Sequence, residues 1–146
     1  MPEVRMTTDA LIRDILGTPR TIAVVGFSAN PSRPSHGVAR YLQTKGHRVI
    51  PVNPGLSGQV WLGEKVRASL AEIGGSVDVV DVFRRSEEVS GLVDQALALS
   101  PLPYAIWTQL GVRDDAAAER ARSAGIHVVQ DRCPAIEIPR LGIVAG

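Results

Sequence analysis

Gly26, Arg33, Arg84, Gln109 and Cys133 are the residues of this chain whose types and surroundings could do chemistry. Gly26 ends a short β-branched run, Thr21-Ile22-Ala23-Val24-Val25, and opens a turn-rich segment containing Ser28, Asn30, Pro31, Ser32 and Pro34. From Ser35 the pattern turns helical, with Val38, Tyr41 and Leu42 three and four apart. A strand, a glycine, a tight loop and a helix start bring unpaired backbone N–H groups and the positive end of a helix dipole to the strand's C-terminal edge. The chemistry this invites is anion binding, and a nucleotide phosphate is the anion that fits. Gly26 also serves the strand-to-helix turn itself.

Other chemistries find less support. His36 and His127 have no partner at metal-ligand spacing and His47 starts a strand, so all three read as surface or capping residues. Cys133 is the single cysteine, which excludes an internal disulfide framework and a cysteine zinc site. No Ser-His-Asp order and no recognisable carboxylate pair suggests bond-making. Trp107 reads as core, and Phe83 and Tyr41 are of a type more often core than a ligand platform. Arg84 and Arg85 have Glu87 and Glu88 close by as ion-pair partners, which leaves one arginine at most for a ligand.

The elements that must position these residues follow from the order of the chain. Residues 8–17 predict a helix capped by Thr7 or Thr8, with Leu11, Ile12, Ile15 and Leu16 on one face and Pro19 beyond its end. The helix from Ser35 ends near Gly46, and His47–Val52 is a second strand with Pro51 at its close. Residues 56–76 are the least regular, with an extended piece at Trp61-Leu62 and a short helix over Ser69–Ile73. Val77–Phe83 is a third strand, with Asp78 at its entrance and Asp81 near its end. A helix capped by Ser86 follows, then a strand over Tyr104–Thr108, a helix capped by Asp114 and a strand over Ile126–Gln130. The residues after Pro134 read as a short irregular apolar tail.

Strands alternating with helices predict an α/β fold: a single Rossmann-like domain with a five-stranded parallel sheet and helices on both faces. The 146 residues, 45% hydrophobic and 21% charged, suit one domain with a core spanning about residues 20–134. A formal net charge of +1 offers no basic face to a nucleic acid. The apolar runs are too short to span a membrane, and the opening stretch MPEVRMTTDALIRDIL lacks a signal peptide's apolar centre, so a cytoplasmic location is expected. Valines and leucines in the tail leave a homodimer open.

In a sheet of this kind the ligand lies at the C-terminal strand ends. A dinucleotide fits poorly, because only the first of the three fingerprint glycines is present and strand two ends in Pro51-Val52-Asn53-Pro54 rather than an acid. A P-loop is absent as well. Four segments, Val25-Gly26-Phe27-Ser28, Pro51-Val52-Asn53-Pro54-Gly55, Asp81-Val82-Phe83-Arg84-Arg85-Ser86 and Asp131-Arg132-Cys133-Pro134, resemble the small single-domain CoA-binding proteins. These are similar to the CoA-binding N-terminal domain of the succinyl-CoA synthetase α-subunit. The resemblance covers about residues 8–141 and implies coenzyme A, or an acyl-CoA, as ligand and a non-catalytic carrier or regulatory role. The synthetase's phosphorylated histidine lies outside this domain, so ligase activity is not implied.

On that resemblance the pyrophosphate would rest on the amides of Gly26, Phe27 and Ser28 and on the helix start at Ser35, with Arg33 as a charge-assisted contact. Asn53, Pro54 and Gly55 would flank the adenosine, Phe83 and Arg84 the passage of the pantetheine or a phosphate, and Gln109 the pantetheine amides. Cys133 would lie near the thiol end, where a mixed disulfide with CoA could form. The rival readings are a partner-dependent component of an acyl-CoA ligase or transferase, and a domain sensing NAD.

Overall fold

The computed structural model describes residues 7–145. Its central sheet is parallel throughout, with β1 (Thr21–Val25) between β2 (Arg48–Val52) and β5 (Val79–Val82). Beyond β5 lie β6 (Ala105–Thr108) and β7 (His127–Val129), which gives the order β2-β1-β5-β6-β7. The chain runs outward from β1 to β2 and then returns to the other side of β1. This reversal opens a crevice between the C-terminal ends of β1 and β5, the place where doubly wound sheets bind ligands. Two residue pairs, Val60–Trp61 (β3) and Glu64–Lys65 (β4), form a separate antiparallel hairpin in the stretch expected to be irregular.

Each strand of the sheet is apolar at nearly every position because both faces are covered. One face carries α1 (Thr8–Leu16), α2 (Pro34–Thr44) and α5 (Pro134–Leu141), whose Ile12, Leu42 and Ile138 pack with Ile22, Val24 and Trp107. The other carries α3 (Ser86–Leu97) and α4 (Asp115–Ser123), whose Leu92 and Ala118 pack with Ala23, Val80 and Ile106. Removing a large aliphatic or aromatic side chain from water in these layers contributes about 1.5–3 kcal/mol each. The fold is thus the expected Rossmann-like α/β domain with helices on both faces.

The strand edges follow from backbone chemistry. Pro51 sits within β2, an edge strand, where its missing N–H breaks no ladder. The outer side of β2 is covered by the chain after β4: Arg67 N–H donates to the Pro51 carbonyl at 3.0 Å, and Asn53 N–H donates to the Arg67 carbonyl at 2.9 Å. At the opposite end of the sheet, Asp78 accepts the Thr21 N–H at 2.8 Å and fixes the entrance of β1.

The irregular tail expected after Pro134 is instead the helix α5. Pro134 stands in its first turn, where a missing N–H costs nothing. Glu137, 4% exposed, receives Arg132 Nη1 at 3.2 Å and a short bond from Arg140 Nε. Arg140 also reaches Asp9 Oδ1 at 2.7 Å, and Arg13 donates to the Leu141 carbonyl at 2.8 Å, so α5 is pinned to α1.

Candidate functional site

The crevice at the switch point begins with Gly26. Its φ of +88° lets the chain turn out of β1, and its open side lies against the Phe83 carbonyl and the Arg84 side chain. The loop after the glycine is held entirely from within. Gly26 N–H and Phe27 N–H both donate to the Val52 carbonyl, at 2.9 and 3.3 Å, and Ser28 N–H donates to Ser35 Oγ at 3.0 Å. Each of the three amides expected to face a pyrophosphate thus has a protein partner in this structure.

The unspent donors lie elsewhere. The N-termini of α2, α3 and α5 have no side-chain cap, whereas Thr7 caps α1 and Asp114 caps α4. Ser86, expected to cap α3, is its first helical residue, and its hydroxyl accepts the Arg113 N–H at 2.9 Å instead. The three uncapped helix starts contribute Pro34 and Ser35, Ser86 and Glu87, and Cys133 to the walls of one cavity of about 870 Å³. Uncapped starts present N–H groups with no partner in the helix, together with the positive dipole end.

Of the site residues inferred from sequence, Gly26, Ser28, Arg33, Ser35, Phe83, Arg84, Gln109 and Cys133 all line this cavity. A second cavity of about 420 Å³ lies beside it, bounded by Val52, Pro54, Ser69, Arg84 and Leu92. Arg84 lines both. Among the described residues, neither Arg33 nor Arg84 has an ion-pair partner, and Arg85 stands 3.9 Å from both Glu87 and Glu88. Arg85 and Glu87 line the larger cavity too, so the two arginines differ in pairing rather than in the face they occupy: Arg85 stands near acids, and Arg84 has no ion-pair partner among the described residues.

Phe27, Asn53 and Gly55 do not line either cavity. Phe27 is fully buried, with its ring 5.2 Å from that of His36. Asn53 Nδ2 donates to the Phe27 carbonyl at 2.7 Å while its Oδ1 accepts the Gly55 N–H at 2.9 Å. Asn53 therefore ties the turn after β2 to the loop after β1. His36 has the same kind of role: it is buried, not on the surface, and its Nδ1–H donates to the Ser28 carbonyl at 2.8 Å. His47 is also buried, with Nδ1 accepting the Arg20 N–H at 3.1 Å, and burial lowers its pKa.

On the far wall, Trp107 is core as expected, and its Nε1–H donates to the Arg132 carbonyl at 2.7 Å. Thr108 Oγ1 accepts the Asp131 N–H at 3.1 Å, and Asp131 Oδ1 accepts the Gly111 N–H at 2.6 Å. These bonds join the loops after β6 and β7 and hold Cys133 at the mouth of α5. Burial raises the Cys133 thiol pKa above its ordinary value, so at neutral pH it is a protonated thiol.

Sequence reasoning passed over Asp81. It is 1% exposed, its Oδ1 accepts Gln109 Nε2 at 2.6 Å, and its Oδ2 has no partner among the described residues. Burial raises its pKa to about 7. The signal was available: Asp81 lies within Val79–Val82, a stretch too apolar to be anything but buried on both faces. A carboxyl there had to be buried with it.

The parallel, doubly wound sheet with its crevice at the C-terminal strand ends defines a Rossmann-like α/β domain. Residues 20–139 match the model of the CoA binding domain family, and the chain belongs to that family. The uncharacterized protein YneT of Bacillus subtilis is 39% identical over 124 residues, spanning 85% of this chain and 89% of that protein. The solved structure of cell-free ID.343 from Thermus thermophilus is 41% identical with a TM-score of 0.86, and the match covers 93% of this chain and 99% of that one. The dinucleotide-forming acetyl-coenzyme A synthetase 1 of Ca. Korarchaeum cryptofilum shares the fold at 24% identity and a TM-score of 0.63, over 80% of this chain and 26% of that one. Among the described residues no helix is long and apolar enough to cross a membrane, and no cluster of His, Cys, Asp or Glu could hold a metal ion.

Proposed function

We propose that this protein binds coenzyme A, or an acyl-CoA, along the crevice and carries or senses it without transforming it. The observation that carries this reading is the charge left uncommitted at the cavity: Arg33 and Arg84 lack ion-pair partners among the described residues and line the same walls as three uncapped helix starts. Guanidinium groups and helix N-termini together are the usual protein complement to phosphate. The smaller cavity, bounded by Pro54 and Ser69, would take the adenosine, the pyrophosphate would cross at Arg84, and the arm would run past Gln109 toward Cys133.

Thermal unfolding with CoA, dephospho-CoA, acetyl-CoA, NAD and ATP tests the reading. A ligand at ~100 times its dissociation constant adds about 2.7 kcal/mol, or roughly 5–10 °C in midpoint for a domain of this size. CoA is expected to give that shift and NAD none, with a smaller shift for dephospho-CoA if the 3′-phosphate meets a guanidinium. A shift with NAD alone would replace the ligand and keep the fold.

The same reading puts the CoA sulfur near Cys133. Its thiolate would attack one sulfur of CoA disulfide, forming a protein–CoA disulfide and releasing the other CoA as thiolate. Because burial keeps the thiol protonated, the reaction is expected to quicken as pH rises from 7 to 9. Intact mass should show one CoA per chain, reversible by dithiothreitol and absent in Cys133→Ser; an adduct that persists in that variant would remove Cys133 from the site.

A further inference from the structure

The buried pair Asp81–Gln109 is the part of the site that the reading above leaves unexplained. By strand register Asp81 lies between Val24 of β1 and Trp107 of β6, in a layer otherwise made of apolar side chains. Among the described residues no cation meets it, and its one bond runs to Gln109, the residue that follows β6 and lines the larger cavity. A core position of this kind would ordinarily hold another valine. A carboxyl with one oxygen unpartnered costs stability there.

The cost has a geometric return. A side-chain amide carries a donor end and an acceptor end, and rotation about its last bond exchanges them. An ionised carboxylate accepts only, so the Asp81 Oδ1 bond at 2.6 Å keeps the Gln109 NH2 turned inward. A proton taken up by Asp81 resides on the unpartnered Oδ2 and leaves Oδ1 an acceptor. Gln109 Oε1 then remains, with no donor directed at it among the described residues. We propose that Asp81 is a positioning residue that fixes Gln109 with its carbonyl oxygen available to the ligand, so that the cavity selects an arm presenting an N–H donor, such as a secondary amide. This rests on the CoA reading, since the pantetheine arm has two such amides, and it adds the polarity of the contact and the residue that imposes it. A site built to accept a hydrogen bond discriminates against ligands that cannot give one.

Asp81→Asn keeps the shape and removes the constraint, because an asparagine can pair with either end of the Gln109 amide. Calorimetric titration at pH 8.5 would compare CoA with adenosine 3′,5′-bisphosphate, which lacks the arm, on the wild type, Asp81→Asn, Gln109→Met and the double variant. The expected result is CoA binding about 3- to 10-fold weaker in each single variant, as for the loss of one hydrogen bond, with the bisphosphate unchanged. The double variant should be no weaker than Gln109→Met alone, since Asp81 acts only through Gln109. Equal loss for CoA and the bisphosphate, additive losses in the double variant, or undiminished CoA binding by Asp81→Asn would each overturn the proposal while leaving CoA as the ligand. Failure of the wild type to bind CoA would overturn the ligand reading and the proposal with it. Gln109→Met, whose side chain lies at the cavity wall, keeps the test decisive should Asp81→Asn fold poorly.

Discussion

Gly26→Ala is expected to lower the unfolding free energy by about 3 kcal/mol or more, from a left-handed backbone that L-residues resist and a steric clash that cannot relax. An added Cβ would stand 2.5 Å from the Phe83 carbonyl oxygen and 3.0 Å from its carbon, with the residue at φ +88°. Neither partner can withdraw. Phe83 N–H donates to the Val25 carbonyl at 2.8 Å, and Gly26 N–H donates to the Val52 carbonyl at 2.9 Å, so β1, β2 and β5 are locked together at this point. Arg84 Nε, 3.3 Å from the same Cβ, would also be pushed from the crevice, and CoA binding should weaken with it. Gly111→Ala supplies the control. Gly111 has φ +79° but nothing within 4 Å of its Cβ, so it bears the conformational penalty alone, about 1–2 kcal/mol. Urea titration of both variants measures the difference. Equal losses would mean that the approach of Gly26 to Phe83 is not a tight one.

This glycine was legible in the sequence because a β-branched run, a glycine and a helix start form a local pattern. The strands and most helices were legible for the same reason, since parallel strands buried on both faces read as unbroken apolar runs. What was not legible came from side-chain and tertiary contacts that no local pattern encodes. The helix α5 contains Pro139 within its span and forms because Ile138 enters the core and Glu137 is held by Arg132 and Arg140. Tertiary packing there outweighs propensity. The amides of Gly26, Phe27 and Ser28 seemed free from local spacing, yet Val52 and Ser35 take their hydrogens. The family resemblance put Asn53 beside the ligand's adenosine, but no local pattern showed that its amide also spans two loops. That Arg85 rather than Arg84 stands near Glu87 and Glu88 depends on which way each side chain leaves the loop, and no spacing rule encodes that.

Asp81→Asn is expected to change the pH dependence of stability by about 4 kcal/mol, the free energy that corresponds to moving a carboxyl pKa from 3.8 to about 7. The folded chain holds this proton more tightly than the unfolded chain, because burial disfavours the anion and the Gln109 hydrogen bond only partly offsets it. Between pH 3.8 and about 7 the folded state therefore binds more protons, and stability falls as pH rises through that window. The contribution of the neutral acid is complete below pH 3.8 and gone above about 7. Asparagine has no charge to bury. Its stability minus that of the wild type should climb by about 4 kcal/mol from pH 4 to pH 8. The difference is the quantity to measure, because His47 titrates in both proteins: its lowered pKa makes folding lose stability as pH falls, and this cancels on subtraction. Urea titrations of the two proteins at pH 4, 6 and 8 suffice. A difference that stays flat would mean that Asp81 ionises at an ordinary carboxylate pKa, which requires water at Oδ2. The floor beneath Gln109 would then be open, and a ligand's amide could meet Asp81 directly, without Gln109 between them.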